Sequence, residues 1–476
     1  MMAKLLLFLA CVAVASASEA ERTFTSIEGD RVRATFISVD GNLATLLRPD
    51  GKSFETPLSS LSTKDREYIS AAGKQQRKLR DESEKLNEAA GQKISTGKPI
   101  SEMDAQELAD NLGLRPESTS KHGKSWRIYA GPKKDYTLFG AIPYSVALYS
   151  DETGKVSNVS IVYANKGDFG STAGFAQDHF KSNGSASADS LEDAMKQDEE
   201  TIAKALTSTL GECSKQRYGE GDTRRTIKRW DWNENAFLLS SEDEEYVSLA
   251  IVPKEVADNG GKSARMTDTV LKQRLIENVR KLENGDVYIT EIPMVNQGPK
   301  GYCVPATFER AMRTMGLDAD MYLLAMIGNT AAGGGTSVTA LLNNVKSAVY
   351  RKGRRTKEDR ISSLKIRDVK REIDKGIPVM WTMFSVDEYN KITNENTAGR
   401  TSGGASFREA MNERADQLAK RPKPDENGHV CMIIGYNEET EEIAVSDSWG
   451  KRFELRWVPL EAADWVSNGR LFMILP

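Results

Sequence analysis

Alternating apolar and polar positions open the readable part of the chain. Arg31-Val32-Arg33-Ala34-Thr35-Phe36-Ile37 and Leu43-Ala44-Thr45-Leu46-Leu47 read as strands, and Pro49-Asp50-Gly51-Lys52 supplies the turn into Phe54–Leu58. A helical tail follows from Leu61, with Ser62-Thr63-Lys64-Asp65 as its capping start. A module of about 50 residues is near the lower limit for independent folding, so a tight barrel is expected. Residues 73–125 are polar, helix-forming and mixed in charge, the pattern of a solvated helical connector. Residues 126–256 alternate again: strands within 136–149 and 156–163, an acidic helix over 190–210, then strands over 226–232, 237–240 and 246–252. That order predicts an α+β domain. Trp126, Trp230 and Trp232 are expected in its core or sheet.

From residue 257 to 476 the pattern carries chemistry. Phe308, Ala311, Met312 and Met315 recur at helical spacing, Gly316 is a stop signal, and Pro305 fits a first helical turn. Cys303 therefore sits at a helix N-terminus, where free amides and the helix dipole favour a thiolate. Gln297 lies six residues upstream across a glycine-containing turn, placed to donate to a developing oxyanion. His429 begins an apolar strand, and the next strand, Glu442–Ser446, runs into Asp447-Ser448-Trp449-Gly450. A short antiparallel turn brings Asp447 beside His429, where a carboxylate fixes the imidazole tautomer and Trp449 can exclude water. Cys431 faces the same side as His429 and is either a core thiol or a partner for Cys213.

Three other segments bear on function. Gly333-Gly334-Gly335 lacks the lysine and strand of a phosphate loop, so Thr336 or Ser337 is expected to cap a helix. The basic run 351–357 has no interleaved aromatics and reads as a solvated loop. The polar insertion around 390–420 is expected to form a flap over a cleft.

Length and composition narrow the classes. With roughly 150 residues per domain, 476 residues suggest three domains. Lys plus Arg at 65 against Asp plus Glu at 69 gives −4, without the positive field that nucleic-acid binding needs. Residues 1–17 have the layout of a secretory signal peptide, with Lys4, the apolar run Leu5–Val14 and Ala15-Ser16-Ala17. Extracytoplasmic placement, secreted or periplasmic, follows as the expectation. The run is too short to span a bilayer, and no later stretch is long enough. Loss of Cys11 with the peptide leaves Cys213, Cys303 and Cys431, an odd number that implies a free thiol. His122 and His179 have no metal-ligand spacing, and no metal or organic cofactor is expected.

Two resemblances add to this reading. "R-x-F-T", "v-x-A-x-F", "R-P-D-G-K", "P-L-S-S-L-S" and "D-R-E-Y-I" over residues 18–72 resemble the Sla-type homology domain, an SH3-like barrel, which implies a short-peptide ligand. Gln297, Cys303, His429 and Asp447-Ser448-Trp449-Gly450 occur in the order of papain-like cysteine peptidases. The start "Q-G-P-K-G-Y-C-V-P-A-T" and the aspartate resemble the bacteriocin-processing branch, family thirty-nine. That resemblance implies Cys303 as nucleophile, His429 as general base then acid, Asp447 as orienter and Gln297 as oxyanion donor. The expectation is thus a multidomain α+β protein: an SH3-like barrel, a helical linker over 73–125, an α+β domain over 126–256 and a papain-like peptidase over 257–476. Its substrate is a peptide or protein. A non-catalytic cell-envelope adaptor and an acyl transferase on the same triad are the competing readings.

Overall fold

The computed structural model describes residues 21–129, 136–167, 190–262, 264–298, 301–331 and 335–476. The leader segment, His179, Gly333 and Gly334 lie outside them.

Four strands form the N-terminal module: β1 (Arg22–Thr25), β2 (Arg31–Asp40), β3 (Leu43–Leu47) and β4 (Ser53–Pro57), an antiparallel meander in chain order. Their inward residues Phe24, Ala34, Phe36, Ala44 and Leu46 pack with Ile69 of α1 (Thr63–Ala90). Ser62 caps α1 as its pattern predicts, accepting from the Asp65 amide at 3.3 Å. The Asp65 carboxylate in turn accepts from the Thr25 amide at 2.8 Å and from Arg22 at 2.7 Å, so one cap fastens helix to strand. β1 and β4 do not pair among the described residues. The module is an open sheet covered by a helix, not the expected closed barrel.

The middle of the chain contains α2 (Ala105–Asn111), β5 (Arg115–Ser120), β6 (Gly123–Tyr129), β7 (Ser145–Ser150), β8 (Val156–Asn165), α3 (Leu191–Leu210), β9 (Ser214–Tyr218), β10 (Arg225–Trp232), β11 (Asn235–Glu242), β12 (Tyr246–Pro253) and α4 (Lys254–Asp258). One sheet of order β5-β6-β7-β8-β12-β11-β10-β9 results. It is two four-strand meanders, each led by a helix, joined where β8 pairs with β12. Trp126 and Trp230 are buried in its core, as expected, and Trp232 donates to Glu82 of α1 at 3.0 Å. The expectation of a helical connector over 73–125 does not hold: Leu86 and Ala90 of α1 enter this core, and β5 and β6 belong to the sheet. β5 reads Arg-Pro-Glu-Ser-Thr-Ser because it is an edge strand, where Pro116 is tolerated and Glu117 and Ser118 bury polar atoms.

The C-terminal region comprises α5 (Asp268–Glu277), β13 (Val279–Lys281), β14 (Val287–Ile289), α6 (Cys303–Thr314), α7 (Met321–Ile327), α8 (Val338–Arg351), β15 (Arg355–Arg360), α9 (Ile366–Ile373), β16 (Val379–Phe384), α10 (Asp387–Gly399), α11 (Gly404–Ala419), β17 (Gly428–Asn437), β18 (Glu442–Ser446), β19 (Arg456–Pro459), α12 (Leu460–Val466) and β20 (Ser467–Leu475). Its antiparallel sheet runs β13-β14-β17-β16-β20-β15, with β18 and β19 branching from β17. Val430, Met432 and Ile434 of β17 face α6, α7 and α8, whereas Cys431 and Ile433 face α9 to α12. The strand alternation thus builds a helix–sheet–helix sandwich.

Two expectations are corrected by this layering. Residues 390–420 are not a flap: Tyr389, Ile392, Met411 and Ala415 are core residues on the sheet face opposite α6. The basic run 351–357 is not a solvated loop either. It ends α8 and enters β15, with Arg354 buried between Asp268 (2.9 Å) and the Met315 carbonyl (3.2 Å). Ser337, by contrast, caps α8 as its position suggests. Deleting residues 390–420 should therefore abolish cooperative thermal unfolding, followed by circular dichroism, because it removes most of two of the four helices that cover one face of the sheet.

Candidate active site

Each element delivers one functional side chain. Cys303 is the first residue of α6, and Thr307, one turn on, donates to the Val430 carbonyl of β17 at 3.2 Å, which ties the helix to that strand. His429, the second residue of β17, stands opposite Met383 of β16. Asp447 follows β18, its amide donating to the Phe453 carbonyl at 3.0 Å. The strand pairing brings His429 Nε2 and Asp447 Oδ1 to 2.8 Å, with Asp447 only 2% exposed. With Nε2 occupied, Nδ1 is the nitrogen left for Cys303, and the interaction with His429 lowers the pKa of that thiol. Trp449 stacks on the His429 ring, centroids 4.8 Å apart and planes 27° from parallel.

The electrostatics follow from burial and partners. Burial alone pushes the Cys303 thiol up, but the hydrogen bond and charge of His429 and the amides of Val430 and Val304 bring it below an ordinary thiol. Burial works against a charged His429, yet Asp447 and Cys303 together raise its pKa to about 9. Asp447, penalised by burial, is held low by His429 and Arg456. All three directions favour a thiolate–imidazolium pair backed by a carboxylate. Cys431 is the opposite case, since burial in the aliphatic core raises it well above an ordinary thiol. Cys213, Cys303 and Cys431 are all unpaired, so the Cys213–Cys431 disulfide does not form.

Gln297 is tied to this region through its main chain: its backbone N–H donates to the Ser448 carbonyl at 2.8 Å, one residue past Asp447. Two arginines escaped the sequence reading. Arg456 donates to Asp447 Oδ2 at 2.5 Å and to Asn394 Oδ1 of α10 at 3.1 Å. Arg310 of α6, 1% exposed, reaches the Pro293 carbonyl at 3.0 Å and Ser446 Oγ at 2.5 Å, joining the helix to the segment that follows β14 and to the end of β18. A signal for Arg456 existed. It stands in the otherwise apolar strand Arg-Trp-Val-Pro, where a buried guanidinium demands a carboxylate. His122 sits at the β5–β6 turn, away from this cluster, and burial lowers its pKa. Among the described residues no group of acidic, histidine or cysteine side chains gathers to hold a metal.

With this geometry in place, comparison with known proteins is informative. Residues 289–470 match the model of the Peptidase_C39 like family. That span contains all four site residues, and the match points to cysteine-peptidase chemistry in a papain-like setting. Among solved structures, the peptidase domain of Streptococcus ComA, a bi-functional ABC transporter involved in a quorum sensing pathway, is similar over 38% of this chain and 97% of that one. The identity is 11% and the TM-score 0.25. No curated protein matches the chain. Among the described residues no helix is long and apolar enough to cross a membrane.

The C39-like site makes two predictions. The pKa of His429 is raised to about 9 and that of the Cys303 thiol is lowered, so the rate of alkylation by iodoacetamide should begin its rise at a lower pH than that of an ordinary thiol. In His429→Ala the thiol loses its partner, and the rate at pH 6 should fall about a hundredfold, then climb with pH. Arg456→Met leaves Asp447 buried with one partner, and urea denaturation should show a loss of about 3–5 kcal/mol.

Proposed function

We propose that the protein is an exported cysteine peptidase that cleaves peptide bonds at Cys303. What supports this reading is the His429–Asp447 hydrogen bond, together with the lowering of the Cys303 thiol by His429, inside the C39-like span. The Cys303 thiolate attacks the scissile carbonyl carbon, forming a C–S bond and moving the carbonyl π electrons onto oxygen. Gln297, with amides at the start of α6, is the donor set for that oxyanion. Collapse breaks the C–N bond, and the His429 imidazolium gives its proton to the departing amine. Water, deprotonated by His429, then attacks the thioester. Collapse of that adduct breaks the C–S bond, releases the carboxylic acid and restores the thiolate beside the imidazolium that took the proton from water.

Asp447 stays ionised throughout, stabilising the imidazolium, while stacked Trp449 keeps water from that hydrogen bond. Export through residues 1–17 is part of the reading, supported by the leader pattern. So is a relationship of residues 18–72 to SH3-like peptide-binding modules, supported by the motifs of that segment although its sheet is open.

The test is hydrolysis of a fluorogenic peptide library by the full mature chain. Cleavage should vanish in Cys303→Ala and fall at least a hundredfold in His429→Ala. An unchanged rate in Cys303→Ala would assign the cleavage elsewhere, and a wild-type chain that cleaves nothing would favour a binding role.

A further inference from the structure

We propose that Tyr129, on the central sheet, is a positioning residue for Gln297 in the C-terminal site, with Glu117 as its counterpart on the same loop. The inference rests on the role given to Gln297 above. Gln297 is flanked by residues that the central sheet holds on both sides. On one side, both backbone polar groups of Asn296 are taken: its amide donates to Glu117 Oε1 at 2.8 Å, and its carbonyl accepts from Tyr129 Oη at 2.5 Å. On the other side lies Gly298, at φ +74, whose added Cβ would stand 2.8 Å from Tyr129 Cζ. Tyr129 thus straddles Gln297, its hydroxyl on the preceding residue and its ring on the following one. Two residues further back, the Met294 amide donates to Ser118 Oγ at 3.0 Å.

The clamp is anchored by a buried network that also reaches the helix of Cys303. Glu117 accepts from Arg127 at 2.7 Å, Arg127 donates to Tyr149 Oη at 2.9 Å, and Tyr149 Oη donates to Glu309 of α6 at 3.3 Å. The loop bearing Gln297 and the helix bearing Cys303 are therefore fixed to the same rigid strands. An oxyanion donor displaced by about 1 Å loses much of its effect, so geometry held from outside the C39-like span bears on the rate.

The test uses the full chain and a peptide aldehyde built on the residues preceding the bond cleaved fastest in the library. The aldehyde adds the Cys303 sulfur to its carbonyl carbon and takes up a proton, reproducing the oxyanion geometry; alkylation by iodoacetamide develops no such charge. Tyr129→Phe keeps the ring on Gly298 and removes only the hydroxyl. It should weaken aldehyde binding about tenfold while leaving the alkylation rate of Cys303 within twofold. In the Gln297→Ala background the same change should alter aldehyde binding less than twofold, because the group it positions is gone. Equal losses in both backgrounds, or wild-type affinity in Tyr129→Phe, would overturn the clamp and leave the peptidase reading standing. A wild-type chain that cleaves peptides yet does not bind the aldehyde would overturn the oxyanion role and the clamp with it.

Discussion

A carboxylate removed from water must be paired, and Asp447 is paired at both oxygens. Oδ1 meets His429 and Oδ2 meets Arg456, with all three side chains inside the protein. An isolated buried carboxylate costs several kcal/mol, so neither partner is dispensable. Much of the C-terminal architecture follows from supplying them. The β17–β18 hairpin brings His429 and Asp447 together, and β18 pairs with β19 so that Val445 stands opposite Arg456. Arg456 Nη1 is in turn held by Asn390 and Asn394 of α10 at 3.4 and 3.1 Å, while its buried Nε has no partner among the described residues. A helix on the sheet face away from Cys303 therefore holds the group that holds the imidazole.

The same pairing separates two buried thiols. Cys303 and Cys431 are both buried, and both lie near His429 in chain or space. Cys303 has helix amides and an imidazole, and its proton is easily lost. Cys431 has aliphatic and aromatic neighbours on the α9–α12 side, and its proton is held. Burial is common to the two, so the hydrogen-bond partner decides between nucleophile and core residue.

What was legible in the sequence was local. Ser62 and Asp65, Ser337, and the strand-borne His429 followed by Asp447 lie within turns or adjacent strands, where spacing translates directly into contact. Glu117 and Tyr129 were not legible as parts of the site. Tyr129 and Glu117 meet Asn296 from 167 and 179 residues away, and no periodicity encodes such a pairing. The misreading of 73–125 has a different origin: β5 is polar on both faces because its buried side is an interface of hydrogen bonds. The supposed flap failed for a third reason. Its two helices bury only six residues between them beneath a polar and charged surface, which in sequence looks like solvated insertion.

The central sheet shows why those distant contacts exist. On β6, Trp126 and Ile128 point into the aliphatic core beneath α2 and α3, while Arg127 and Tyr129 point the other way. On β7, Val146 and Leu148 face that core and Tyr149 opposes it. In the β9–β12 half, the outer face is covered by α4 through Ile227, Ala236, Leu238 and Val252. The β5–β8 half has no such helix, and the C-terminal region covers it instead, with Tyr144 and Val162 packed against Val295, Tyr302 and Ala306. Burying Arg127 there requires a carboxylate, which Glu117 provides, and burial of Glu309 across the interface raises its pKa to about 7. An aliphatic interface would have joined the two units equally well by area. A polar one joins them at particular backbone atoms, those of Asn296 among them, so the second face of this sheet specifies position as well as adhesion.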